Sequence, residues 1–213
     1  MADLLSSVFS LTVMRYALIV GVPVALCAAL LGVLLVLRRY AMIGDGLSHV
    51  GFGALSVAYA LNLAPMAVAV PVVILAAFLL LGLSGSRRLR GDSAIAVLSS
   101  SALALGVVAN SLAGGSATDL SGYLFGSILT LTRADVVLSV SLSAVVILLF
   151  VLFKNRIFAV TFDEPFAKSA GVRVGLYNGL LALLIAVTVV VGMRIVGTML
   201  ISSLIIFPAL GAM

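Results

Sequence analysis

The chain has 213 residues, 64% of them hydrophobic and only 9% charged, with a formal charge of +5. A water-soluble domain carries about 25% charged residues, so water could not solvate this surface, whereas lipid can. The basic residues lie between apolar blocks, with no basic face and no interleaved aromatics, which excludes nucleic acid as the partner and points to lipid.

Residues 1–10 hold Asp3 and no basic stretch ahead of the first apolar run, the pattern of a retained helix rather than a cleaved signal. A first span is predicted over 13–37. It contains Cys27, the only cysteine, which excludes an intrachain disulfide and reads as a packed thiol. A second span over 41–62 is interrupted by Gly44-Asp45-Gly46 and Ser48-His49, and a turn at Pro65 leads to a third over 66–83. The basic loop 84–92 precedes a fourth span over 93–112, which ends in Gly114-Gly115-Ser116. Residues 122–131 are apolar but too few to cross, and are expected to form an interfacial or re-entrant helix. A fifth span over 136–153, a polar connection over 154–175, a sixth span over 176–193 and a seventh from 195 onward complete the chain. The expected fold is all-α: a polytopic transmembrane bundle of about seven spans forming one domain, 1–213. Pro23, Pro71 and Pro208 fall inside three of the spans, where neighbouring helices can re-satisfy the freed backbone groups.

Strict alternation places loops 38–40, 84–92 and 154–175 on one side. These hold Arg38, Arg39, Arg87, Arg88, Arg90, Lys154, Arg156, Lys168 and Arg173, while the other side holds Arg15, Arg133 and Arg194. The positive-inside bias makes the first side cytoplasmic and the N-terminus external.

Asp45 and the only histidine, His49, stand four residues apart, on one face of a helix. At about 1.5 Å per residue from Arg39, they lie about 9 Å and about 15 Å deep in a core about 30 Å thick. Ionisable groups at that depth are costly and should face the bundle interior. A divalent cation would compensate them: imidazole and carboxylate fit Zn²⁺ slightly better, and Mn²⁺ or Fe²⁺ would bind the same atoms. One copy offers two ligands; two copies about a two-fold axis would offer four. The alternative is an Asp–His hydrogen bond that locks a helix interface. Glycines 44, 46, 51 and 53 permit close approach of other helices, and Ser99–Ser101 and Ser202-Ser203 suit hydrogen bonds between helices more than the lining of a polar path.

In the polar connection, Thr161 with Glu164 fits a capping box, and Asp163 alone could also cap. Pro165 suits a first turn and Gly171 a left-handed terminus, so a helix of about two turns is expected, with Phe162 and Phe166 as an apolar knob. That knob could lie on the membrane or enter a groove on a cytoplasmic partner. The sequence holds no Gly-x-x-x-x-Gly-Lys-Ser/Thr phosphate loop, no Gly-x-Ser-x-Gly elbow and no His-Glu-x-x-His, so an enzyme is not expected and any ATP-driven work falls to another chain.

Four segments together resemble the membrane permease subunits of bacterial ABC importers for zinc, manganese and iron: RRYAMIGDGLSHVGFGAL (38–55), DLSGYLFGSILTLTRAD (119–135), FDEPFAKSAGV (162–172) and VVVGMRIVGTMLISSLIIFPALGAM (189–213). The resemblance implies an inner-membrane permease homodimer that moves the ion into the cytoplasm. It also implies a cytoplasmic ATPase dimer and an extracytoplasmic metal-binding protein as partners. The metal is then cargo, and no cofactor is permanently bound. Asp45 and His49 fall on the family's acidic and histidine positions for metal passage. The 163–171 helix, with Asp163, Glu164, Phe166, Lys168 and Gly171, falls on the segment that docks on the ATPase. Family members generally continue beyond the PALGAM-like segment, so the chain looks C-terminally shortened. The competing readings are an ion-coupled secondary metal transporter using Asp45 and His49 as a proton relay, a permease for a metal chelate, and a non-transporting scaffold. The capped cytoplasmic helix and the lack of an inverted repeat favour the ABC reading over the secondary transporter.

Overall fold

A computed structural model of the chain describes residues 12–38, 40–84, 91–114, 122, 124–126 and 132–212. Among them, eight helices follow one another: α1 (Thr12–Leu37), α2 (Ile43–Ala60), α3 (Pro65–Ser84), α4 (Gly91–Leu112), α5 (Arg133–Phe162), α6 (Glu164–Ser169), α7 (Val174–Val196) and α8 (Thr198–Gly211). The expected retained N-terminal segment, the basic residues at 39, 87, 88 and 90, and most of the expected helix over 122–131 lie outside the described residues.

Among the described residues, five helices are long and apolar enough to cross a membrane: Val13–Leu37, Pro65–Gly82, Ser93–Leu112, Arg133–Phe162 and Val174–Val196. The sequence leads to an expectation of seven such spans. The other two elements differ for separate reasons. α2 carries Asp45, His49 and four glycines, and α8 is an apolar helix of only 14 residues. The side chains of α2 explain how so polar a helix is tolerated. Of its 18 residues, 13 are buried, and α4, α3, α8 and α7 pack around it, so protein rather than lipid solvates it.

Close backbone approach builds this interior position. A Cβ at Gly53 would lie 2.6 Å from the Ala102 carbonyl oxygen of α4, and one at Gly106 would lie 3.0 Å from Gly53 Cα. Small residues at such crossings let backbones meet, and their dispersion contacts stand in for a hydrophobic drive that lipid does not supply. Gly46 faces Ile95, while Gly53 faces Ala102 and Gly106, so residue numbers rise together along both helices and the two run parallel. That sense agrees with strict alternation of the chain.

The fifth span is longer than expected. α5 runs through to Phe162, so residues 154–162 of the supposed polar connection are helix. Lys154 and Arg156 are exposed on its last turns. The sixth and seventh spans are divided at Gly197 rather than near residue 194. Its φ of +92° lies in a region that an L side chain rarely adopts, so neither helix continues through it. Pro23, Pro71 and Pro208 lie within α1, α3 and α8, as expected.

Candidate metal site

Asp45 sits in the first turn of α2 and His49 one turn further along. Helix α2 begins only at Ile43, because the Tyr40 amide donates back to the Leu35 carbonyl and the Ile43 amide to the Tyr40 carbonyl, with Ala41 and Met42 in a turn. Counted from Ile43, Asp45 lies about 3 Å and His49 about 9 Å along the helix axis, less than the count from Arg39. The first turn also suits a carboxylate, since the helix N-terminus carries partial positive charge that favours an anion by about 0.3–1 kcal/mol.

His49 Nε2 and Asp45 Oδ1 are 3.7 Å apart, with the His49 side chain 14% and the Asp45 side chain 33% exposed. That separation is too long for a hydrogen bond. The other ring nitrogen, His49 Nδ1, is buried and finds no hydrogen-bond partner among the described residues. A pair that served only to lock an interface would be bonded, because an unsatisfied buried polar group costs about 1–3 kcal/mol. The distance does suit a shared ion. Bonds of about 2.0–2.2 Å to nitrogen and oxygen place the two donors about 3.4 Å apart in a tetrahedron. No cluster of three or more His, Cys, Asp or Glu occurs among the described residues, and Asp45 and His49 stand as a pair. Ser48, buried beside them, donates its hydroxyl to the Asp45 carbonyl at 2.8 Å.

Two of the serines elsewhere bond within their own helices rather than between helices: Ser101 donates to the Val97 carbonyl and Ser202 to the Met199 carbonyl. Cys27 is a free, buried thiol near the Ser143 carbonyl, the packed role its position indicates.

The expected short helix is present as α6. Asp163, with extended backbone, accepts from the Phe166 amide at 2.9 Å and is the N-cap. The Thr161–Glu164 capping box does not form. Thr161 still belongs to α5, where its hydroxyl donates to the Ile157 carbonyl at 2.7 Å. Pro165 lies in the first turn of α6, and Lys168 is exposed in its last turn. At the end, Gly171 (φ +78°) donates to the Lys168 carbonyl and Val172 to the Ala167 carbonyl, the pair of bonds of a Schellman terminus. Phe162 and Phe166 are 68% and 65% exposed, the apolar knob their spacing indicates.

Two groups of contacts were not foreseen. At the α6 end, Arg38 bonds Thr161 and Asn178, and Arg156 donates to the Tyr177 hydroxyl at 2.7 Å. At the opposite end, Arg194 pairs with Asp135 at 2.7 Å, and Arg133 donates to the Tyr16 hydroxyl. The only sequence signal for the Asp135–Arg194 pair is that both are isolated charges flanking apolar spans on the same side.

Among the described residues, a helical bundle with five membrane-length helices defines a membrane-embedded protein. The chain belongs to the ABC 3 transport family, whose model matches residues 10–213. It is 31% identical over 196 residues to the manganese import system permease protein ScaB of Streptococcus gordonii, covering 92% of this chain and 70% of that protein. It is 34% identical to a probable metal transport system membrane protein of Thermotoga maritima, with the same coverages. The high-affinity zinc uptake system membrane protein ZnuB of Haemophilus influenzae is 28% identical over 91% of this chain and 74% of that protein. Among solved structures, PsaBC from Streptococcus pneumoniae in complex with Fab matches with a TM-score of 0.85 and 32% identity, over 99% of this chain and 76% of that one. The three protein relatives are named as membrane components of metal transport systems, for manganese, an unspecified metal and zinc.

Proposed function

We propose that this chain is the transmembrane subunit of an ATP-driven importer that carries a divalent metal ion into a bacterial cytoplasm, with Asp45 and His49 as ligands on its route. The observation that carries the reading is the unbonded 3.7 Å Asp45–His49 pair on a buried helix. A carboxylate and an imidazole held at ligand spacing, inside a bundle that lipid surrounds, suit a transient dication better than a static lock. Zinc and manganese are the leading cargoes, since both suit these donors and each is named for a relative; iron binds the same atoms.

Two donors are too few for a four-coordinate ion, so the working unit in this proposal is a homodimer whose two pairs supply four donors. The chain acts as one domain, 1–213, inserted in the inner membrane with its N-terminus outside. In this reading α2 and α8 also cross within the bundle, giving seven spans. An extracytoplasmic binding protein delivers the ion. ATP is hydrolysed on separate subunits that dock on α6 through Phe162, Phe166 and the charged residues Asp163, Glu164 and Lys168, the rigid-body motion being passed to the helices.

The test is metal uptake by cells carrying Asp45→Ala or His49→Ala in the full-length permease. Each variant should lower initial uptake at least about tenfold, about 1.4 kcal/mol in the rate-limiting barrier, with unchanged protein level. Normal uptake by either one at equal level would remove that residue from the route.

A further inference from the structure

Arg38 joins three helices at the end of the bundle that carries α6. It follows α1 directly and is half-buried. Its Nε donates to Thr161 Oγ1 at 3.2 Å, and one terminal nitrogen donates to Asn178 Oδ1 at 2.7 Å. Thr161 lies in the last turn of α5 and Asn178 near the start of α7. The single hydroxyl proton of Thr161 is committed to the Ile157 carbonyl, so its oxygen is an acceptor and only a donor fits opposite it. A rigid guanidinium fork spans two such acceptors; a lysine ammonium would not reproduce it. Burial pushes the Arg38 pKa down, and the negative charge of Glu164, the first residue of α6, opposes that shift.

Helices α5 and α7 have a junction of their own, with Arg156 on the Tyr177 hydroxyl and Phe153 edge-on to the Tyr177 ring. What Arg38 adds is α1. Along α1, Gly32 lies against the backbone of Ile205 in α8, and the Ile205 side chain lies over Gly44, where a Cβ would be 3.1 Å from its Cδ1. Gly44 precedes Asp45. A contiguous series of contacts therefore runs from the facing ends of α5 and α7, on which α6 packs, through Arg38, α1 and Ile205 to the first turn of α2.

We infer that Arg38 is a positioning residue: it passes a displacement of α6 into α1 and so to Asp45, linking the ATPase stroke to the metal site. The inference rests on the reading of α6 as the ATPase-docking helix. Coupling over such a distance is carried by packed and bonded groups, and only a coupling measurement tests it.

The experiment uses the full-length permease assembled with its ATPase in proteoliposomes, reading Mn²⁺ taken up per ATP hydrolysed. Arg38→Gln and Asn178→Ala should each lower that ratio at least fivefold while the ATPase co-purifies at wild-type stoichiometry. The double variant should be no worse than the worse single one, because both remove the same clasp. Arg38→Lys, which keeps the charge without the fork, should also fall. An unchanged ratio in Arg38→Gln or Asn178→Ala overturns the inference, and so does loss of ATPase co-purification in both, which would make the clasp part of the docking surface. Should Arg38→Gln fail to accumulate, the milder Asn178→Ala decides by the same ratio. Docking is read separately: if Phe166→Ser leaves co-purification intact, the docking reading fails, independently of the uptake ratio in the clasp variants.

Discussion

Asp45 and His49 are visible in the sequence because two ionisable residues one helical turn apart interrupt an apolar run, and lipid makes such residues expensive. Their relation is not. The 3.7 Å gap and the orphaned Nδ1 depend on rotamers set by packing around α2, which spacing cannot supply. The Asp135–Arg194 pair was still less legible, since residues on α5 and α7 meet only through the tertiary fold. Asp135 also closes a capping box with Thr132, so its carboxylate is held in place before Arg194 reaches it, and its side chain is only 12% exposed. A fixed, mostly buried carboxylate loses little entropy on pairing, unlike a typical surface ion pair. A double-mutant cycle of Asp135→Asn and Arg194→Gln, read by thermal or denaturant unfolding in detergent, should therefore return a coupling of about 1–2 kcal/mol. A coupling near zero would mean that the pair is incidental.

At the scale of elements, boundaries were the least legible. The supposed polar connection after residue 153 looked like a loop because Lys154, Asn155 and Arg156 follow an apolar run. Polar side chains on an exposed helical face produce the same pattern, and α5 continues for nine further residues. Helix α6 was legible because its signals are local: a cap residue, a first-turn proline and a glycine at the end. Even there the choice between Thr161 and Asp163 turned on where α5 stops, which the local pattern does not encode. Gly171 offers a clean test of the terminus. Its φ of +78° strains any L side chain, yet nothing lies within 4 Å of where a Cβ would sit. Gly171→Ala should thus cost about 1 kcal/mol through backbone strain alone. Gly171→Asn, which tolerates the left-handed region, should cost less. Hydrogen exchange of the α6 amides would register the difference as faster opening in the alanine variant, and equal exchange in the two variants would contradict the account.

For the whole molecule, composition settled the solvent and the loop charges gave a sense of insertion, but neither distinguished a lipid-facing span from an enclosed helix. Hydropathy treats the polarity of α2 as a weakness in a span. In the fold, the same polarity is permitted because α3, α4, α7 and α8 surround the helix and its glycines admit their backbones. The polar helix is enclosed by these four neighbours, while α3, α4 and α5 present large hydrophobic side chains such as Leu75, Leu105 and Leu148 outward. This arrangement puts the only histidine and its neighbouring carboxylate where an ion would be shielded from lipid.

The most direct measurement is pulsed electron paramagnetic resonance of Mn²⁺ bound to the purified, ATPase-assembled full-length permease, because an imidazole ligand imprints nitrogen modulation on the echo. That modulation is expected in the wild type and should be lost in His49→Gln, with weaker Mn²⁺ binding in Asp45→Asn. Nitrogen modulation that persists unchanged in His49→Gln, or bound Mn²⁺ with no nitrogen in the wild type, would contradict ligation by His49.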